Sequence, residues 1–208
     1  MNEPTIFIID DDPSARRGLT RLVRAASLNA ESFGSARDFL ASEQRDGPGC
    51  IVLDVSMPEM TGPELQEELC RDDYCMPIIF LSAYGDVPTA AQTLKKGAAD
   101  FLTKPVDRDD LLLAIRVSLD RDAENRAQLA ERDSINERIK KLTSREREVM
   151  TWVITGMMNK QIAAEMGISE ETVKIHRGRV IQKMEVDSVA RLVRLCEIVG
   201  IAPAEPGR

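Results

Sequence analysis

In the first half of the chain, four apolar runs each end in a side chain that can handle charge. Thr5, Ile6, Phe7, Ile8 and Ile9 stop at Asp10, Asp11 and Asp12; the run from Cys50 stops at Asp54; the run from Pro77 stops at Ser82; and Asp100, Phe101, Leu102 and Thr103 lead to Lys104. Short apolar runs rich in β-branched residues, bounded by Gly or Pro, read as buried strands. Carboxylates gathered at one sheet edge raise each other's pKa unless a cation lies between them. All-oxygen donors of this kind suit Mg²⁺, which keeps several waters and takes one or two protein carboxylates. A divalent ion beside Asp54 offsets the charge of an incoming phosphoryl group and leaves Asp54 as the nucleophile. Lys104 can then pair with a phosphoryl oxygen as a point charge, and the Ser82 hydroxyl can bond to another. Taken singly, a strand-end Asp is a helix cap or turn residue, and Lys104-Pro105 is a surface turn. The four endings together point to a site.

The elements that must hold these residues alternate. Strands are expected at 5–9, 30–33, 50–54, 77–82 and 100–104, with helices from Pro13, at 35–43, at 61–70, at 88–96 and from Arg108 onward. Alternating strands and helices call for an α/β fold, a parallel sheet wrapped on both faces. Such a sheet binds ligands outside the carboxyl ends of its strands, where strand order reverses. That is where the polar endings fall.

No apolar run approaches the roughly 18 residues of a membrane span, and Met1-Asn2-Glu3-Pro4 lacks the basic start of a signal peptide, so a cytoplasmic protein is expected. Cys50, Cys70, Cys75 and Cys196 show no C-x-x-C spacing, and the chain has one histidine. A zinc site is thereby disfavoured, and four reduced, buried thiols are expected. The formal net charge of −7 is unevenly spread. Residues 1–120 hold 12 Lys and Arg against 21 Asp and Glu, whereas residues 139–208 hold 12 against 9. An acidic total therefore does not exclude a nucleic-acid-binding second half.

From Asp107 to Lys141 there is no Gly or Pro, so the helix beginning near Arg108 is expected to run on through a helical linker, 121–138. Leu129, Ile135 and Ile139 are too sparse for a coiled coil, and a solvated single helix is expected. Thr143-Ser144-Arg145-Glu146 fits a capping box. A short helix at 159–166, a left-handed turn at Gly167 and a Ser169 cap before a third helix, 170–184, make a helix-turn-helix. On that third helix Val173, Val180 and Met184 face the core, while Lys174, Arg177 and Lys183 project elsewhere with His176 and Arg179 nearby. After this turn a basic helix reads as one laid in the major groove. The last helix, capped at Asp187-Ser188, carries Val189, Leu192, Val193, Leu195 and Val199; a spare apolar face, and so dimerisation, is expected.

Asp10-Asp11, Asp54 with Ser56-Met57-Pro58, Ser82-Ala83 and Lys104-Pro105 resemble the receiver domain of two-component response regulators, and Gly85-Asp86-Val87-Pro88 resembles the FixJ branch. The resemblance implies a flavodoxin-like 2-1-3-4-5 sheet over residues 1–120. It also implies phosphate transfer to Asp54 from a sensor histidine kinase and Mg²⁺ held by Asp11, Asp54 and the Ser56 carbonyl, with Asp10 acting through water. Ser82 and Phe101 match the switch positions; phosphate would draw Ser82 inward, Phe101 would follow, and the surface of the fourth helix and fifth strand would change. Leu142-Thr143-Ser144-Arg145-Glu146, Asn159-Lys160-Gln161-Ile162-Ala163 and Thr172-Val173-Lys174-Ile175-His176 resemble the LuxR-type output domain, expected over 139–208. By that resemblance Lys174, Ile175 and Gly178 face bases, Gly178 departing from regulators with lysine there. Lys160, Thr172, His176 and Lys183 lie near phosphates.

The combined expectation is a phosphorylation-dependent transcriptional regulator, an activator that pairs as a homodimer on double-stranded DNA and meets RNA polymerase. Its only catalysis would be its own phosphotransfer and dephosphorylation. Two alternatives stand beside it. Asp10-x-Asp12 also resembles the start of Mg²⁺-dependent aspartyl phosphatases, and a receiver that no longer switches would leave a constitutive DNA-binding protein.

Overall fold

The computed structural model describes residues 3–42, 47–70, 76–83 and 87–205. Cys75, the Glu43 end of the expected second helix, and Gly85-Asp86 lie outside the described residues. Two compact units divide the chain, Met1–Arg126 and Ala127–Arg208.

In the first unit, β1 (Thr5–Ile9), α1 (Pro13–Ala25), β2 (Asn29–Phe33), α2 (Ala36–Leu40), β3 (Gly49–Asp54), α3 (Gly62–Leu69), β4 (Ile78–Ser82), α4 (Val87–Lys95) and β5 (Asp100–Thr103) precede α5 (Arg108–Lys140). The five strands form one parallel sheet in the order β2-β1-β3-β4-β5, the expected 2-1-3-4-5 arrangement. The central strands are buried on both faces, and successive side chains of each point to opposite sides of the sheet. Ile6, Ile8, Cys50, Val52, Ile79 and Leu81 pack against Leu19 and Val23 of α1 and Leu111 and Ile115 of α5. Phe7, Ile9, Ile51, Leu53, Ile78 and Phe80 pack against Phe39 of α2 and Leu65 of α3. Asp10 continues the Ile6, Ile8 phase and Asp54 the Cys50, Val52 phase, so both acids leave the sheet on the same side.

One turn and more beyond Ile115, α5 stays tied to the sheet by charge. Asp122, 1% exposed, accepts the Gly49 amide at 3.0 Å and the Arg126 Nε at 2.9 Å, and Arg126 Nη2 also donates to the Gly47 carbonyl. Both bonds fall on Asp122 Oδ2, which offsets part of the cost of burying the charge, while Oδ1 is buried without a hydrogen-bond partner among the described residues.

Two expectations for this unit need correction. The second helix ends at Leu40, where Ala41 caps it by donating to the Arg37 carbonyl at 3.0 Å. Cys50 and Cys196 are free and buried, but Cys70 is disulfide-bonded, so the expectation of four reduced thiols fails. Cys70 is the half-buried residue that caps α3, outside the core.

The second unit contains the end of α5 with α6 (Ser144–Val153), α7 (Asn159–Met166), α8 (Glu170–Lys183) and α9 (Val189–Ile198). The expected capping box is present: Glu146 N donates to Thr143 Oγ1 at 3.3 Å, and Thr143 N donates to Glu146 Oε2 at 2.9 Å. Gly167 closes α7 at φ 65°, a left-handed value that costs glycine little, and the Ser169 hydroxyl accepts the Thr172 amide at the start of α8.

The end of α5 is not a solvated helix. Ile135 and Ile139 are buried in one cluster with Val149, Val173, Val180 and Leu192. Val189, Val193, Ile198 and Val199 of the α9 region pack on the same cluster. The spare apolar face expected on the last helix is therefore absent among the described residues. The end of α5 is a fifth helix in this core, and it supplies surface that the short helices α6, α7 and α8 lack for covering α9.

Candidate functional site

The carboxyl ends of β1, β3 and β5 bring their polar residues to the point where strand order reverses. Asp10 is 1% exposed and Asp54 8%. Lys104 Nζ bridges them, 2.7 Å from Asp10 Oδ2 and 3.0 Å from Asp54 Oδ1. Oxygens of Asp10, Asp11 and Asp54 all lie within 4.8 Å of one another. Hard oxygen donors at that spacing fit a Mg²⁺ ion.

Each acid has a different setting. Asp10 is enclosed: Oδ1 accepts the Asp12 amide at 2.9 Å, and Oδ2 holds Lys104. Asp12 caps α1 by accepting the Ser14 amide at 2.8 Å, and that bond lowers its carboxyl pKa. Asp11 is exposed. Burial raises the Asp54 carboxyl above its ordinary value, Lys104 pulls it back only in part, and Asp10 and Asp11 add to the rise. Burial depresses Lys104, but the bonds to Asp10 and Asp54 outweigh it and leave its pKa raised. The ammonium thus stays charged beside the acids.

The surrounding elements are built to admit this arrangement. A Cβ at Gly62 would lie 2.4 Å from the Asp54 carbonyl oxygen, so only glycine lets α3 start so close to Asp54. Lys104 N donates to the Ser82 carbonyl at 2.6 Å, which aligns the ends of β4 and β5. Ser82 is buried at the end of β4, and Ser56 is exposed in the segment after β3. Phe101 is half-buried, with its ring centroid 6.3 Å from that of Phe80. The structure thus brings Asp10, Asp11, Asp54 and Lys104 together and places Ser82 on the neighbouring strand end.

Three supporting residues, Arg16, Gln66 and Gly62, were not singled out from sequence. Arg16 Nη1 donates to the Asp10 carbonyl at 2.5 Å. Gln66, buried on α3, donates from Nε2 to the Thr93 carbonyl of α4 at 3.2 Å. Of the three, Gly62 lies at the start of the helix expected at 61–70.

In the second unit, α8 buries Val173 and Val180 and exposes Glu171, Lys174, Ile175, Gly178, Arg179 and Gln182. These recur at helical spacing and make one outward stripe. Ile175 is 48% exposed, a large apolar side chain set among polar ones on that stripe. Lys160 is exposed on α7. Thr172 is half-buried, with its hydroxyl 2.7 Å from that of Ser169, and His176 is half-buried. The other two basic candidates have inward partners. Arg177 Nη1 donates to Asn159 Oδ1 at 2.9 Å, joining α8 to α7. Lys183 Nζ lies 2.6 Å from Glu146 Oε2 and donates to the Lys141 carbonyl at 3.1 Å. Lys183 and the Thr143 amide hold the buried Glu146 carboxyl down at about 2.

Known proteins share both units. Residues 6–116 match the response regulator receiver domain family, and residues 140–196 match the luxR family of bacterial regulatory proteins. Nodulation protein W of Bradyrhizobium diazoefficiens is 43% identical over 197 residues, covering 95% of this chain and 87% of that protein. Transcriptional regulatory protein FixJ of Azorhizobium caulinodans is 40% identical over 200 residues, covering 96% and 95%. Among solved structures, the response regulator StyR aligns with a TM-score of 0.83 at 44% identity, covering 94% of this chain and 99% of that one. Full-length FixJ from B. japonicum aligns with a TM-score of 0.57 at 35% identity, covering 97% and 99%. The chain belongs to the response regulators of two-component systems that join a receiver domain to a LuxR-type DNA-binding domain.

Proposed function

We propose that Asp54 is the phosphoacceptor and that its modification controls DNA binding by the second unit. The observation that carries this reading is the buried Asp54 carboxylate at the sheet's switch point, bridged by Lys104 to a second acid. An Asp54 oxygen attacks the phosphorus of a sensor kinase phosphohistidine; the P–N bond breaks as the P–O bond forms, and the imidazole leaves with its electron pair and takes up a proton. Asp11, Asp54 and the Ser56 carbonyl would hold Mg²⁺, with Asp10 behind them, and the ion supplies charge neutralisation. Lys104 holds one phosphoryl oxygen and Ser82 another. Asp10 is the poorer nucleophile because both its oxygens already accept hydrogen bonds.

Ser82 and Phe101 carry the change to α4 and β5. Val87 and Leu94 of α4 are exposed apolar side chains, which supports pairing of two receivers. Two output units, taken as residues 139–208, then bind an inverted repeat in the cytoplasm and meet RNA polymerase as an activator. Lys174, Ile175 and Arg179 of the outward stripe face the groove, and Lys160, Thr172 and His176 lie near phosphates. Arg177 and Lys183 support α8 from within.

Titration of labelled operator DNA with and without acetyl phosphate tests the reading. The wild-type protein gains affinity with the phosphodonor and Asp54→Asn does not; an equal gain in both would refute it.

A further inference from the structure

The three acids of the sheet edge are not equally held. Asp10 is fixed by the Asp12 amide and Lys104, and Asp54 by Lys104. Among the described residues no side chain grips the Asp11 carboxylate, so its place is set by its backbone. That backbone has one strong tether. The peptide unit joining Asp10 to Asp11 offers its carbonyl to Arg16 Nη1 at 2.5 Å, and Asp10 N donates to the Phe33 carbonyl at 3.3 Å. Arg16 is itself half-buried on α1, and its guanidinium lies against Gly34 after β2, with three of its atoms 3.7 Å from where a Cβ there would stand. Its planar fork is thereby pre-set, which is the property that distinguishes arginine from lysine.

We infer that Arg16 is a positioning residue for the Mg²⁺ site: by fixing the Asp10–Asp11 peptide it holds the exposed Asp11 carboxylate where a cation bound by Asp54 can reach it. The inference rests on the proposed phosphoacceptor reading, because it concerns the same site. Two effects of opposite sign compete at Arg16. Its positive charge repels a nearby cation, and its hydrogen bond orders a ligand for it. Positioning dominates, because the guanidinium is turned onto the carbonyl and Gly34 rather than onto the acids.

Calorimetric titration of the full chain with MgCl₂ decides between them. Arg16→Met raises the Mg²⁺ Kd by about tenfold or more, as loss of an outer support for a metal ligand does. Arg16→Lys, which keeps the charge, recovers part of the affinity. Leu19→Ala, a core change on α1 away from the acids, sets the level that mere loosening of the helix reaches. A Kd for Arg16→Met that falls, stays at the wild-type value, or matches that of Leu19→Ala overturns the inference. Should Arg16→Met fail to fold, Arg16→Lys is judged by the same comparison, with an unchanged Kd as the contrary result. A wild-type chain that binds no Mg²⁺ would instead remove the phosphoacceptor reading beneath it.

Discussion

The acid edge of the receiver and the exposed stripe of α8 use charge in opposite ways. At the receiver edge two of the three acids are buried and already bonded through one ammonium: Asp10, Asp54 and Lys104 form a connected set before any ligand arrives. On α8 the side chains available to a partner are those left outward, Lys174, Ile175 and Arg179, while Arg177 and Lys183 are engaged inside the unit. A site that does chemistry needs its groups held in place before the reaction, and low exposure strengthens each interaction. A surface that reads a long polymer needs exposed groups whose partners are supplied by the polymer. Charge alone therefore does not separate the outward cations of α8 from the inward ones; the identity of each partner does.

The largest expected effect sits at the buried edge. Asp54→Asn abolishes stable phosphoryl incorporation, read by labelled acetyl phosphate, while the same change stabilises the metal-free receiver at neutral pH. The sign follows from the raised Asp54 pKa: the folded state disfavours the ionised carboxylate, so stability falls as pH rises from the ordinary carboxyl value through the folded pKa, and asparagine removes that loss. A thermal melt that falls for Asp54→Asn contradicts it.

Next in size is the buried tie of α5. Asp122→Ala leaves the Gly49 amide and the Arg126 guanidinium without their shared acceptor and lowers receiver stability by about 3 kcal/mol in denaturant unfolding. A loss no larger than that of an exposed carboxylate on the same helix would show that the tie contributes nothing to the fold.

On α8 the contrast predicts different outcomes for neighbouring cations. Lys174→Ala costs about 1–3 kcal/mol of specific binding with little change in stability. An equal loss on unrelated DNA would show that it touches phosphate only. The smallest effect is at the inward pair. Glu146→Gln weakens the second unit by about 1–2 kcal/mol at neutral pH, through the cap and the Lys183 pair. Because the folded Glu146 pKa of about 2 lies below its ordinary 4.5, its contribution is complete above that ordinary value and is lost as pH falls through about 2. Circular dichroism melts of wild type and Glu146→Gln should therefore converge toward pH 2.

The sheet and the acid edge are legible in the sequence because strand period and strand endings are local signals. The unbroken apolar run Thr5–Ile9 that stops at Asp10 announces a buried strand with a charged end. The helix-turn-helix is legible for the same reason, through Thr143, Gly167 and Ser169. What escapes depends on contacts between distant residues. Ile135 and Ile139 look too sparse for a seam because their partners, Val149 and Leu192, lie on other helices. The inward pairing of Lys183 is hidden in the sequence because its acceptor, Glu146, stands 37 residues away. Arg16 looks like one of several basic residues on α1, and only the position of the Asp10 carbonyl sets it apart.

The most direct measurement locates the phosphoryl group itself. The full chain is treated with acetyl phosphate and Mg²⁺, the acyl phosphate is trapped by borohydride reduction, and the modified peptide is sequenced by mass spectrometry. Modification at Asp54, absent from Asp54→Asn, is the predicted result. Modification at Asp10, or none at any acid of the sheet edge, would contradict it.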